Sequence, residues 1–536
     1  MKLCGALIGI MSVAFTVSGR AQGSDWSAVE GLRYAISMQG SGSGGEATPL
    51  WLNANKYGLS SLEDGNGYLR ASLARPLEVD SCRKFGLGYT VDLVGAVNYT
   101  SAFIVQQAFV EGRWLKGVLT IGSKEYPMEL KNQKLSTGSQ TLGINARPVP
   151  QIRIALPDYW DPPFLKGWVG IKGHIAYGRF TDDNWQTDFT NRQSSYTEDV
   201  LYHSKAGYLR IGNPKPGKHF SIELGLEMAS QFGGTTYEVS GNGTVTVYKH
   251  NTGFSAYWDA LVPGGSDTTE DEYKNVEGNQ LGSWVMRVNF DYPSWYAGLY
   301  ADHYFEDHSG MFLLDYDGYG EGDDWDERED NKYHLYDLKD IMLGLEVQLK
   351  QFKPLNNIVV EYLYTKYQSG AVYHDHTEEI SDHLGGIDNY YNHSLYNAWQ
   401  HWGQVMGNPL YLSPIYNSDG EITVKDNRFV AWHLGLAGEL ANCLSYRFLA
   451  TYRKGYGTYG EPYEDPHKNL SLLAETSYSF PCYSKLRGWS LTGAVGVDVG
   501  HWVGNNYGFQ LTVMKSGLMK IKKKNDSKKK TTSKKK

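Results

Sequence analysis

Between Tyr390 and Trp402 the sequence packs Tyr390, Tyr391, His393, Tyr396, Trp399, His401 and Trp402 into 13 residues, interleaved with Asn389, Asn392 and Asn397. Residues of these types suit carbohydrate recognition. Aromatic faces stack on the C–H surfaces of sugar rings, and a few placed polar groups fix the hydroxyls. The stretch follows an acidic, glycine-containing segment and does not alternate, so it reads as a folded-in loop. It either offers aromatic platforms to a glycan or packs as a plug inside the fold.

A second candidate is Arg147, held between Ala146 and Pro148-Val149-Pro150, with Arg153 following at the start of the next strand. Two prolines this close exclude a central strand, and their fixed geometry can aim a guanidinium whose planar fork suits a carboxylate. The target is either an acidic polysaccharide or a carboxylate inside the protein. The acidic runs Tyr373–Glu379 with His383, and Asp315–Asp330, carry metal-ligand types, but neither has the spacing of a known site. They read as solvated loops, and neither metal nor cofactor is expected. Catalysis has little support: there is no GxSxG and no phosphate-binding glycine loop. His393 and Ser394 are adjacent in sequence and would point to opposite faces of a strand.

The elements that must position these groups are strands. Period-two alternation recurs from about residue 84 onward, as in Phe220–Ala229, Ile341–Lys350 and Val169–Tyr177. Roughly 18 strands are countable, many of about 9–11 residues, the length that crosses a bilayer when tilted. Trp168, Tyr177, Trp284, Tyr292, Trp295, Trp432 and Trp489 sit at strand ends, where an aromatic girdle belongs. Short turns such as Asp291–Ser294 alternate with long acidic segments. The expected fold is all-β: a single antiparallel transmembrane β-barrel of about 18 strands with long acidic external loops. Its lumen would carry both signs of charge, including Asp92, Lys172, Glu223, Glu227, Arg287, Glu346, Lys350, Glu361, Glu439, Glu475 and Asp498, which suits either internal salt-bridge networks across a plug or the lining of a water-filled channel.

Composition agrees. Of 536 residues 14% are aromatic, and the mean hydropathy is -0.46. Such a chain is not largely disordered, and half-polar strands produce this hydropathy. The organisation expected is a signal peptide over residues 1–21, a barrel over 22–519 and a disordered Lys-rich tail over 520–536. The tail holds ten Lys and one Asp, so the net charge of -8 is the sum of an acidic body and a basic end. An acidic body argues against nucleic-acid binding. Cys82, Cys443 and Cys482 lack metal spacing, and one disulfide among them is left open.

Several segments resemble the Wzi family of capsule-assembly outer-membrane proteins, in the longer form found in Gram-negative anaerobes. They are Thr48–Gly58, Leu135–Ser139, Asn145–Arg153, Asp388–His393 with the tryptophans after it, Gly407–Leu410 and Tyr507–Leu511. The resemblance implies an 18-stranded outer-membrane barrel that is no enzyme and binds capsular polysaccharide or organises it at the cell surface. The glycan-binding candidates are Arg147, Arg153, Tyr390, Tyr391, Asn392, His393, Trp399, His401 and Trp402. Expected partners are surface polysaccharide, outer-membrane lipid and the barrel-assembly machinery during insertion, with the barrel itself monomeric. The alternative function is a general or selective porin. No segment matches the periplasmic helical bundle of enteric members, and the chain runs on past its last strand into the Lys tail.

Overall fold

In the first strand, Arg33–Gly44, Ile36 and Met38 point outward, 50% and 60% exposed, while Ser37, Gln39 and Ser41 between them are buried. Apolar outside and polar inside is the pattern of a barrel wall that faces lipid. The computed structural model describes residues 29–212, 219–262, 278–306, 312–316, 318–320, 322–335, 338–373 and 384–519. The expected leader, the Lys-rich tail and the whole run His374–His383 lie outside the described residues.

Eighteen strands form one sheet. They are β1 (Arg33–Gly44), β2 (Gly65–Arg75), β3 (Phe85–Val97), β4 (Phe103–Trp114), β5 (Gly117–Ser123), β6 (Gln151–Trp160), β7 (Val169–Arg179), β8 (Leu201–Ile211) and β9 (Phe220–Phe232). There follow β10 (Asn279–Asp291), β11 (Trp295–Glu306), β12 (Ile341–Leu349), β13 (Asn357–Tyr364), β14 (Phe429–Ala441), β15 (Leu444–Gly457), β16 (Pro462–Ser479), β17 (Trp489–Gly500) and β18 (Asn506–Leu518). Each pairs antiparallel with its neighbour in this order. β18 then returns to β1, in register from Gly44↔Tyr507 to Arg33↔Leu518. Closure leaves this 18-stranded sheet without an edge strand.

The two ends differ. At one, tight connections such as Leu115-Lys116 and Asn442-Cys443 join the strands. Phe85, Trp114, Phe164, Trp168, Phe220 and Trp295 are exposed near this turn end, as an interfacial girdle requires. Cys82, Cys443 and Cys482 all lie here, exposed and unpaired. At the other end six connections are long: 45–64, 124–150, 180–200, 233–278, 307–340 and 365–428. The other three at that end, 98–102, 458–461 and 501–505, are short, so the alternation of short and long is incomplete.

Five of these long connections go three ways. Residues 45–64, with the short helix α1 (Leu50–Asn53), and the connections 124–150 and 389–428 fold into the lumen. The 180–200 connection, carrying α2 (Trp185–Thr190), caps them: Trp185 stacks on Phe189 and lies against Gly403. The 233–278 connection instead sends α3 (Phe254–Leu261) down the outside of the wall. Ala256 and Ala260 pack against Phe232 of β9, the Tyr177 hydroxyl of β7 donates to the Tyr257 carbonyl at 2.7 Å, and Lys205 of β8 reaches the Ala260 and Leu261 carbonyls. Lys205 thereby satisfies carbonyls at the helix C-terminus that have no partner within the helix. Tyr177, expected in a bare girdle, is covered by this helix. Phe254 and Trp258 form its outer face.

Inside the barrel the in-folded loops build a core. Trp51, Leu135, Tyr390, Tyr391, Trp399 and Tyr411 pack with wall residues such as Leu281, Met342, Val359 and Leu363 in one buried cluster. A side chain of this kind contributes about 1.5–3 kcal/mol when fully buried, and buried backbone groups in a plug must also find partners. Polar wall residues supply them. Glu361 accepts from Ser136 Oγ (2.5 Å), the Thr137 N–H (2.7 Å) and Tyr300 (2.5 Å). Asp302 binds Lys131 Nζ at 2.7 Å and the Gln140 N–H at 3.1 Å. Asp498 accepts from the Leu50 N–H at 2.9 Å, and Arg453 spans Asp426 (2.8 Å) and the Leu410 carbonyl (2.9 Å). Elsewhere on the wall Asp92 pairs with Arg70, Lys172 with Glu129, Arg287 with Glu346 and Glu475 with Arg447. Lys350 and Glu439 differ: they pair with Asp291 and Lys353 at the exposed turn end.

Candidate functional site

The structure places eight of the nine sequence candidates in three groups and leaves Arg153 apart on the wall. Tyr390, Tyr391 and Trp399 are in the plug core with no exposed surface. Tyr391 stacks on Tyr411 at 4.0 Å between ring centroids, and Tyr304 packs edge-on to both Tyr390 and Tyr391. Trp399 stacks with Tyr202 of β8 and donates Nε1–H to the Thr141 carbonyl at 3.3 Å. Protein covers both faces of these rings.

Arg147, His401 and Trp402 form the second group, where the connections 124–150 and 365–428 meet. The Arg147 guanidinium lies over the Trp402 ring at 4.1 Å and donates to Thr100 Oγ1 at 2.6 Å. Among the described residues it has no carboxylate partner, so the expected pairing with a lumen carboxylate gives way to a cation–π contact. Burial brings its pKa down to about 10. The His401 ring sits between two carbonyls, Nδ1 at 2.8 Å from Arg147 O and Nε2 at 2.8 Å from Thr181 O. Burial, reinforced by the Arg147 charge and opposed by those carbonyls, holds its pKa to about 4, so the ring is neutral at physiological pH. Arg153, on β6, lies over Tyr126 at 3.9 Å.

Asn392 and His393 belong to the third place, a cleft of about 600 Å³ at the loop end. It is lined by residues from four connections: Gln193, Ser194 and Ser195; Val239, Ser240 and Gly241; Asn389, Asn392, His393, Asn397, Glu421, Ile422, Thr423 and Lys425; and Thr458, Gly460 and Glu461. The Asn392 amide is committed to the chain opposite, accepting from the Val424 N–H at 2.8 Å and donating to the Val424 carbonyl at 2.9 Å. Asn397 donates to the Ser195 carbonyl, tying two connections together. His393 Nδ1 accepts the Leu395 N–H at 3.0 Å, which places the neutral ring's proton on Nε2. Burial, with the neighbouring His250 adding to it, holds this imidazole to about 4. Lys425 pairs with Asp419 and Glu421. Amides, hydroxyls and carboxylates lining a groove of this size can hydrogen-bond a row of sugar hydroxyls. No Phe, Tyr or Trp lines it.

The Ser, Thr and Glu residues of this cleft leave no signal in the sequence because they come from four separate connections, with no spacing that links them. Other motif residues do different work. Asn145 accepts from the Asn55 N–H (3.0 Å) and donates to the Val405 carbonyl (3.1 Å), so one amide joins all three plug connections. Asn408 donates to Thr137 Oγ1 and the Gly138 carbonyl. At Gly407 a Cβ would fall 1.9 Å from the Tyr391 hydroxyl and 2.2 Å from the Gln140 carbonyl, so the crossing of two loops requires glycine there. Among the described residues no three His, Cys, Asp or Glu side chains gather to hold a metal ion.

Sequence comparison finds no matching family model and no similar curated protein. Comparison of folds does find relatives. Wzi of Escherichia coli, an outer-membrane protein involved in group 1 capsule assembly and described as a carbohydrate-binding β-barrel, superposes with a TM-score of 0.53 at 13% identity, over 89% of this chain and 83% of Wzi. OprD of Pseudomonas aeruginosa gives a TM-score of 0.42 at 9% identity, over 91% and 94% of the two chains. OccAB4 of Acinetobacter baumannii gives 0.43 at 8% identity, over 92% and 100%. At these identities the likeness to Wzi is one of fold, and the molecule has the 18-stranded barrel of outer-membrane proteins.

Proposed function

We propose that this chain is a non-enzymatic outer-membrane barrel of the Wzi type that binds surface polysaccharide, capsular in kind, and helps hold it to the cell. The observation that carries this reading is the division of the loop end. Three connections fill the lumen with a hydrogen-bonded core, and the surface left above them is a polar cleft. A barrel whose task is permeation gains nothing from a buried cluster of Trp51, Tyr391, Trp399 and Tyr411 across its lumen. A barrel that presents a binding surface needs those loops rigid.

On this reading residues 1–21 are a cleaved signal peptide, the turn end faces the periplasm and the Lys-rich tail extends there. The polysaccharide approaches from outside and lies along Asn389, Asn397, Ser240, Thr423 and Glu461, with the chain acting as a monomer. Deleting the gene and measuring cell-attached against released polysaccharide tests the role. Attachment in normal amount would remove its main support. Planar-bilayer recording tests the porin reading: large, stable unitary currents from the purified barrel would favour that reading instead.

A further inference from the structure

A cavity of about 90 Å³ lies between the plug and the wall strands β6–β9 and shares no lining residue with the loop-end cleft. That is room for about three waters at their liquid volume of about 30 Å³ each. Its wall includes Tyr126, Arg147, Gln151, Arg153, His174 and Tyr208. Arg153 enters from β6 and rests on the Tyr126 ring, yet among the described residues its guanidinium makes no hydrogen bond and no ion pair. Arg147 also has no carboxylate partner among the described residues, and its Nε, like Arg153 Nε and Gln151 Oε1, is buried without a hydrogen-bond partner. The carboxylates on the same wall are engaged elsewhere: Glu129 with Lys172 at 2.5 Å, and Glu227 with Tyr208 at 2.8 Å and Ser139 at 3.2 Å. Lys124 is paired with Glu111.

Arg153 is half-buried and has no carboxylate in direct contact, Glu129 acting on it only at a distance, whereas proteins normally pair such a cation directly. This fold provides the fork and omits the acceptor. We propose that the cavity binds a small oxyanion, a carboxylate or phosphate group, taken by the Arg153 guanidinium over the Tyr126 ring with Arg147 beside it. A bidentate contact of this kind is what the planar guanidinium favours. The oxyanion can be free inorganic phosphate or the carboxylate group alone of a uronic acid, since about 90 Å³ has no room for the sugar ring; the two sources share one recognition chemistry.

The test uses the full-length barrel in detergent, titrated calorimetrically with sodium phosphate, acetate and glucuronate at constant ionic strength, alongside thermal unfolding in the same solutions. Saturable binding of at least one probe is expected, weakened at least tenfold in Arg153→Gln and less in Arg153→Lys. The unfolding temperature of the wild type should rise with the bound anion, by mass action. That of Arg153→Gln should already be raised in chloride-only buffer, with no further rise on adding the probe. Glucuronate binding without phosphate binding would identify a sugar acid, and the reverse a free ion. No saturable binding of any probe by the wild type, or equal affinity in Arg153→Gln, would overturn the proposal. Tyr126→Leu, which removes the ring beneath the guanidinium and leaves its charge, is the second variant, and undiminished affinity there would count equally against the site. Loss of polysaccharide attachment in cells plays no part in the readout, so the cavity and the loop-end cleft stand or fall separately.

Discussion

The Tyr391 hydroxyl donates to the backbone carbonyl of Gln140, a residue 251 positions away, and accepts the Asn408 N–H at 3.0 Å. One phenol therefore staples the connection 124–150 to the connection 365–428 and fixes the turn that leads into Leu410. Tyr391→Phe keeps the packing and strands two buried backbone groups, each costing about 1–3 kcal/mol. The expected result is an intact barrel by circular dichroism, with more frequent openings in single-channel recording. A silent channel, as closed as the wild type, would mean that the staple is dispensable.

The pair Lys131–Asp302, 2.7 Å apart and fully enclosed, anchors the same loop to β11. Asp302→Asn leaves an ammonium without its counter-charge, and breaking buried pairs costs about 3–5 kcal/mol. Lys131→Met with Asp302→Leu should be much milder, because neither charge is left behind. Limited proteolysis of the folded barrel reads the difference directly, with cleavage expected within residues 124–150 in the single variant.

Trp399 is fully buried, so Trp399→Ala opens a cavity worth about 3–5 kcal/mol. Plug stability should fall. Glycan binding at the loop-end cleft should change only as far as the loops above loosen. Filling that cleft with Ser240→Trp should have the opposite signature, with polysaccharide binding reduced at least tenfold and the melting transition unmoved. Equal binding in Ser240→Trp and wild type would exclude the cleft as the site.

Acid should loosen the plug. His401 is held to about 4, below the ordinary histidine value of 6.5, chiefly by burial. Because the folded value is the lower one, the packed loop favours the neutral ring. That contribution is complete above about pH 6.5 and is lost as the pH falls through 4. His393, also held to about 4, shares the window. Channel openings should therefore rise between about pH 6 and 4 in the wild type. In His401→Gln with His393→Gln the rise should be smaller. An identical pH profile would place the acid response in other groups.

Cys82, Cys443 and Cys482 are exposed at the turn end. If that end faces the periplasm, a membrane-impermeant maleimide should leave intact cells unlabelled and label osmotically shocked cells. Labelling of intact cells would invert the orientation.

The wall was legible in the sequence, and so was much of the plug's composition. Alternation is a local property: whether Leu345 faces out and Glu346 in depends only on neighbours along one strand, so period two yields most strands and the two-sided wall from about residue 84 onward. The loop Tyr390–Trp402 could be recognised as folded-in from its failure to alternate. Where its rings point was not legible. Tyr391, Trp399 and Asn392 have similar credentials in the sequence, yet the first two are sealed and the third lines the cleft. Contacts separated by more than 250 residues, such as Asn145 with Val405 or Arg147 with His401, decide this, and they leave no periodic trace. For the same reason only the tertiary structure could pair Arg147 with a tryptophan, leave Arg153 without a carboxylate and lay α3 against the outside of the wall. The closure of the barrel sets which loops meet, and that meeting decides which side chains remain open to a ligand.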